Sequence, residues 1–213
     1  MALVAPSMLS ADFLSLAKDV RTVNAHADLF HLDIMDGTFV PNISFGFPVV
    51  EAIAKLAEVP MDAHLMIVNP EKYVERFAKT GVSMLSFHLE ATRDKADKVI
   101  DLIHSCGMKA GMAINPDIPV EDLYPYLDKL DFVLIMSVFA GFGGQSFIET
   151  TYSRIKTLKA EMDRRGLDIP IEVDGGVSLK NTRLLQEAGA SILVAGSSVF
   201  KAEDPGAMME QLR

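Results

Sequence analysis

The sequence predicts an α/β protein folded as a (β/α)8 barrel, and three observations lead there. Short apolar runs alternate with longer segments of helical period eight times along 213 residues, the repeat count of a closed parallel barrel. The runs are rich in Val, Ile and Leu on both faces, as strands covered on both sides must be. The chain is 49% hydrophobic, enough to bury one sizeable core, and no linker-like or low-complexity stretch divides it. One barrel domain over residues 1–213 is therefore expected. A doubly wound open sheet is the alternative. It ordinarily carries a glycine fingerprint after the first strand, where this chain reads APSMLSAD (5–12).

The apolar runs place strands at 3–5, 29–34, 61–66, 84–88, 109–114, 132–138, 169–173 and 191–195. Helical period fills the intervals at 14–26, 48–57, 70–80, 94–105, 120–128, 149–165, 179–188 and 205–212. Asn69-Pro70-Glu71 puts proline in a first helical turn with an acid behind it, a start signal. Gly81, Gly107, Gly166 and Gly189 follow helical patterns, where a C-terminal cap calls for positive φ.

Bulk properties exclude several classes. A net charge of −9 and a pI near 5.0, with no basic run, argue against a nucleic-acid surface. No window approaches a membrane span, and MALVAPSMLSADF lacks the basic and apolar regions of a signal peptide. The single cysteine, Cys106, allows no intrachain disulfide; its flanks resemble a helix end, which favours a half-buried structural thiol and agrees with a cytoplasmic location.

Three strands end in ligand-type side chains: HLDIMDG (31–37), MDAHLM (61–66) and IEVDGG (171–176). His31 and Asp33, two apart on a strand, face one way. His64 interrupts an apolar strand, and Asp174 precedes Gly175-Gly176. Each has a bland explanation alone: a core histidine met by a carboxylate, or a turn residue. Four at equivalent strand ends of a barrel would converge at one rim and bind one divalent metal. Two imidazoles with two carboxylates suit Zn2+ or Fe2+, with Mn2+ or Co2+ as substitutes. His88 ranks below them for lack of a neighbouring carboxylate two residues away, and His26 and His104 read as helix-end residues.

Gly175-Gly176 follows the seventh strand and Gly196-Ser197-Ser198 the eighth. Such loops let backbone N–H groups approach an anion, a short following helix adds its dipole, and this is where barrel enzymes usually seat phosphate. GFGGQ (141–145), after the sixth strand, reads as a mobile flap or a plain connector. Met35, Met66 and Met136 fall near strand ends, as core filler or as a lining of the site.

The ordered motifs PSMLSADF (6–13), HLDIMDGTFVPNISFG (31–46), DAHLM (62–66), FHLEA (87–91), GFGGQSFI (141–148), EVDGGV (172–177) and VAGSSVF (194–200) resemble the ribulose-phosphate 3-epimerase family essentially end to end. The resemblance implies a barrel of the ribulose-phosphate-binding type with one divalent metal on the residues matching His31, Asp33, His64 and Asp174. The two aspartates serve as acid and base. Residues matching Ser7 and His64 contact the sugar, and those matching Met35, Met66 and Met136 line the site above the metal. The glycine loops, at Gly141, Phe142, Gly143, Gly144, Gly175, Gly176, Gly196 and Ser197, hold the phosphosugar. It further implies a cytoplasmic homo-oligomer, dimer to hexamer, acting in the pentose phosphate pathway.

The chemistry explains these residue types. Inverting C3 of D-ribulose 5-phosphate to give D-xylulose 5-phosphate removes a proton α to the C2 ketone and returns one to the other face. So weak a carbon acid needs a Lewis acid at the ketone and one carboxylate on each face. The family usually has Asn-Pro ahead of the flap glycines. Here Phe139-Ala140 stands there, which loosens the backbone and adds bulk. An allulose-6-phosphate 3-epimerase is the alternative within the same barrel and metal set. A lyase is disfavoured because Lys109 begins a strand and no lysine ends one. A non-catalytic phosphosugar-binding barrel would have been free to lose a ligand residue.

Overall fold

The structure, a computed structural model, describes residues 1–213, the side chain of Arg93 excepted. In chain order it runs β1 (Leu3–Pro6), α1 (Leu16–His26), β2 (Phe30–Met35), α2 (Phe47–Ala54), β3 (Met61–Met66), α3 (Val74–Ala78), β4 (Met84–His88), α4 (Leu89–Thr92), α5 (Ala96–Ser105) and β5 (Lys109–Ile114). It continues with β6 (Phe132–Met136), α6 (Thr151–Arg165), β7 (Ile171–Asp174), α7 (Thr182–Ala188), β8 (Ile192–Ala195), α8 (Ser197–Phe200) and α9 (Pro205–Gln211).

The eight strands form one parallel sheet in the order β1-β8-β7-β6-β5-β4-β3-β2. The remaining edges meet through a single parallel bridge, Ser7 to His31. The N–H groups of Asp28 and Leu29 also donate to the Val4 carbonyl (3.0 and 3.4 Å), and the Asp28 carboxylate accepts from the Val4 N–H at 2.8 Å. The predicted barrel is present, with β1/β2 as its thinnest seam.

Alternate strand residues divide the interior from the helix-facing side. Leu32 and Ile34 of β2, with Val133 and Ile135 of β6, join the outer core that also takes Val99 and Ile103 of α5 and Leu158 of α6. Inside, Leu29, Met84, Phe132, Ile192, Ala5 and Val194 form an apolar plug. Gly111 makes room for it: a Cβ there would overlap the Phe132 ring. Register then fixes the polar layer above. His31 pairs with Asp62, Asp33 with His64, and Met136 with Asp174.

Several expected boundaries move for identifiable reasons. The predicted helix at 120–128 is replaced by two 3-10 turns, Val120–Leu123 and Leu127–Lys129. Pro125 lies between them and supplies no N–H to a continuous helix. The helix expected at 70–80 splits into a 3-10 turn, Pro70–Lys72, and α3; Asn69 is left-handed (φ 51°) and its side chain caps nothing. The sixth strand stops at Met136 instead of 138: past it the Ser137 hydroxyl donates to the Asp174 (2.8 Å) and Gly175 (2.6 Å) carbonyls, and the Ser137 carbonyl accepts from the Ile148 N–H and not from a neighbouring strand. The seventh begins after Pro170. Gly81, Gly107, Gly166 and Gly189 all have positive φ.

Gly111→Ala is predicted to lower unfolding stability by about 1–3 kcal/mol through overpacking. Gly46→Ala, whose new methyl would meet nothing within 4 Å, should cost less, no more than about 1 kcal/mol, from the loss of glycine at the N-cap of α2. Urea titration of the two variants checks this, and equal stabilities would contradict the close packing of the plug.

Candidate active site

Above the plug, three strands deliver ionisable groups to one point. β2 brings His31 and Asp33, β3 brings His64, and β7 brings Asp174. One ligand atom from each lies within 4.8 Å of all the others. Asp33 stands at the centre, with Oδ1 3.5 Å from both His31 Nε2 and His64 Nδ1. Its Oδ2 accepts from the Ser7 hydroxyl at 2.5 Å. Asp174 Oδ2 is 3.9 Å from His64 Nδ1.

These spacings decide what the cluster suits. His31 Nε2 and His64 Nδ1 are fully buried and have no hydrogen-bond partner, a costly condition for two ring nitrogens. At 3.5 Å from Asp33 they are poor hydrogen bonders. Nitrogen and oxygen ligands about 2.0–2.1 Å from a tetrahedral ion, however, stand roughly 3.3 Å apart. The arrangement fits one divalent cation held by His31, Asp33, His64 and Asp174.

A second layer aims the imidazoles. His31 Nδ1 donates to Asp62 Oδ2 at 2.8 Å and lies 3.3 Å from Glu172 Oε1. A proton held on Nδ1 leaves the Nε2 lone pair facing Asp33. His64 turns Nε2 to His88 Nε2 at 3.0 Å, so its Nδ1 faces the cluster. Asp62 and Glu172 were not singled out from the sequence, although a signal existed. Each lies two residues before a predicted ligand, the spacing that paired His31 with Asp33. His88 stays outside the four-residue cluster. The expectation that no carboxylate stands two residues from it is wrong: Glu90 does, and it reaches His88 Nδ1 (3.5 Å) from α4, just past the strand end.

Electrostatics separate the acids. Burial disfavours ionised Asp33, yet the His31 and His64 imidazoles hold its carboxyl well below the usual range. Burial, with the Asp33 charge added, pushes Asp174 up to about 7. Burial and Asp62 push Glu172 to about 8. Burial, aided by the neighbouring His88 and His31, takes His64 down to about 4 against the pull of Asp33, leaving it neutral and ready to ligate. Burial also opposes the imidazolium of His31, but Asp33, Asp62 and Glu172 raise it well above the ordinary value.

The cluster floors a cleft at the C-terminal ends of the strands. Ser7, Asp33, Asp174 and the predicted Met35, Met66 and Met136 line its lower part. Gly141, Phe142, Gly143 and Gly144 line one side, and Gly175, Gly176, Gly196 and Ser197 the other. His31 and His64 have no exposed surface and lie behind Asp33. Ser10 and Gln145, not named from sequence, also line it. Glycine is required at 175 and 176: φ is +117° and +64°, and a Cβ would overlap Val138 at the first and lie 2.9 Å from the Phe147 nitrogen at the second. The short helix after Gly196 is α8. Among the described residues lining the cleft there is no lysine.

The model of the ribulose-phosphate 3 epimerase family matches residues 3–200. The chain belongs to this family. It is 45% identical over 212 residues to the ribulose-phosphate 3-epimerase of Bacillus subtilis (strain 168), covering 99% of this chain and 97% of that one. It is 41% identical over 214 residues to "Ribulose-phosphate 3-epimerase, cytoplasmic isoform" of Oryza sativa subsp. japonica, covering 99% and 92%. The crystal structure of KGPDC from Streptococcus mutans shares the barrel fold at 14% identity, with a TM-score of 0.74 over 100% of this chain and 95% of that one.

Two predictions concern this epimerase-family site. Asp62→Asn is expected to weaken Co2+ or Zn2+ binding about 10–100-fold, the usual effect of losing a carboxylate behind a ligating histidine. Chelator competition measures it, and unchanged affinity would remove Asp62 from the site. Ligation also needs His31 Nε2 bare and Asp174 ionised, whereas without the ion both tend to hold protons at mildly acidic pH. Ion uptake near pH 6.5 should therefore release protons, and affinity should climb as pH rises through 7. Calorimetry in two buffers of different ionisation enthalpy reads the release; identical heats would contradict it.

Proposed function

We propose that residues 1–213, acting as one barrel domain, interconvert D-ribulose 5-phosphate and D-xylulose 5-phosphate by moving the C3 proton. The observation that carries this reading is the pair Asp33 and Asp174 at the floor of one cleft, each offering an oxygen to the same compact cluster as His31 and His64. A divalent ion on these four residues, Zn2+ or Fe2+ with Mn2+ or Co2+ as substitutes, would supply Lewis acidity for the charge of an enediolate.

The protein groups then divide the work. Asp33, held ionised, takes the C3 proton, while the Ser7 hydroxyl fixes one carboxylate oxygen so that the other stays aimed. Asp174, which faces the same cleft, delivers one to the opposite face, and the roles exchange in reverse. Environments that drive two carboxyls apart suit an acid and a base. Met35, Met66 and Met136 exclude water and offer no acidic proton to the carbanion. The backbone N–H groups at Gly175, Gly176, Gly196 and Ser197 take the phosphate. The absence of lysine among the described cleft-lining residues disfavours Schiff-base lyase chemistry.

A cytosolic setting agrees with the single free thiol, Cys106, and with the name of the rice relative. We take the working unit to be a homo-oligomer, consistent with apolar Leu14 and Ile43 standing 98% and 74% exposed. Sedimentation giving only a 23.3 kDa species would exclude that.

The decisive assay is C3 epimerisation of D-ribulose 5-phosphate by metal-loaded protein, with D-allulose 6-phosphate beside it. Chelator-sensitive turnover of the pentose is expected, and preference for the hexose would reassign the substrate. Asp174→Asn, with its metal content verified, should lower kcat by at least about 10²–10⁴-fold, the range of a lost general acid or base. Near-normal turnover would sink the two-carboxylate assignment.

A further inference from the structure

The flap carrying Gly141–Gln145 is joined to the barrel by a bond whose donor is backbone. The Ala140 N–H donates to Asn115 Oδ1 at 2.9 Å. Asn115 is itself pinned: its N–H and its Nδ2 both donate to Glu90 Oε1, at 3.0 and 2.9 Å. Arg154 holds the Asn115 carbonyl at 2.8 Å and the Met136 carbonyl at 3.0 Å. Glu90 Oε1 lies 3.5 Å from His88 Nδ1, and His88 Nε2 lies 3.0 Å from His64 Nε2.

One run of polar contacts thus joins the stem of the flap to an imidazole of the four-residue cluster, hydrogen-bonded except at the 3.5 Å approach of Glu90 to His88, which is electrostatic. Two other amides grip the flap without reaching that cluster. Asn42 Nδ2 donates to the Gly141 carbonyl at 2.7 Å. Gln145 Nε2 closes on the carbonyls of Phe139 (2.7 Å) and Phe142 (2.8 Å).

We propose that Asn115 is a positioning residue, setting the flap stem through the Ala140 N–H and tying that position, through Glu90 and His88, to His64. A proline at 140 has no N–H and cannot make the first link. The loosening expected from Ala140 is therefore countered by a hydrogen bond available only to a non-proline residue. Substrate closing the flap would meet a stem already placed, and metal binding at His64 would stiffen it further.

The kinetic part of this inference rests on the epimerase reading; hydrogen exchange does not. In metal-loaded protein, Asn115→Ala should speed amide exchange over residues 141–145 about three- to tenfold, the size of one hydrogen bond. In an Ala140→Pro background, where the bond cannot form, the same change should have less than about a twofold effect, as a double-mutant cycle requires of a shared contact. Equal acceleration in both backgrounds, or in neither, overturns the anchor.

Zn2+ loading should slow this exchange in the wild type and have no such effect in Asn115→Asp, which keeps the oxygen for Ala140 but sets a like charge against Glu90. Slowing retained in Asn115→Asp overturns the link to His64. In Asn115→Ala, KM for D-ribulose 5-phosphate should rise about three- to tenfold with kcat nearly constant, the pattern of lost ground-state binding. An equal fall in kcat with KM unmoved would refute positioning through the flap. A wild type without turnover would refute the epimerase reading and leave the exchange results standing.

Discussion

Inside the barrel, His31, Asp33, Asp62, His64, His88 and Glu172 are at most 3% exposed, and an ionised group so placed costs several kcal/mol unless it is compensated. The interior meets that constraint by alternation. Acid and base follow one another from Asp62 and Glu172 through His31 to Asp33 and His64. The pattern decides which nitrogen of His31 carries its proton, and hence where its lone pair points. Between the two imidazoles and Asp33 it leaves two ring nitrogens without a partner, as it leaves both Glu172 oxygens one layer down. A cation there would satisfy both nitrogens and Asp33 at once, which is what suits the four residues to metal binding.

That pattern holds because of what lies beneath and outside. The plug around Phe132 closes the barrel to water, so the polar layer has one direction from which to be reached. The helix-facing residues of the strands lock the register by burial, and a slip of one residue would turn His31 and Asp33 outward. Asp174 sits highest of the acids. Its partial access to the cleft and its crowding by Asp33 leave it the carboxyl most able to exchange a proton.

The sequence made the barrel, the strand positions and the four ligand-type residues legible, because all three rest on period-2 and period-3.6 patterning. Legibility failed where the deciding contact is long-range or where a single residue overrides periodicity. Pro125 dissolves an otherwise helical stretch into 3-10 turns. Asp62 and Glu172 were readable by the same i, i+2 rule as His31 and Asp33, but they sit one layer below the strand ends where ligand-type residues converge. Glu90 was missed for another reason. It stands two residues after His88, the same i, i+2 spacing, but past the strand end on α4; its service to Asn115 depends on how α4 packs beside β5, which no local spacing encodes.

The two halves of the site tolerate change differently, for one physical reason. A buried carboxylate of the floor cannot be altered without stranding the charge it faces, so the floor admits little variation. The flap stem lies in half-buried loop backbone, where a fixed φ and a hydrogen bond are interchangeable ways of removing the same freedom. Phe139-Ala140 uses the second. Because its acceptor, Asn115, is held by the Glu90 that also faces His88, the substitution places the flap on the electrostatic network of the floor. Flap order in this chain is thereby coupled to the state of the cluster.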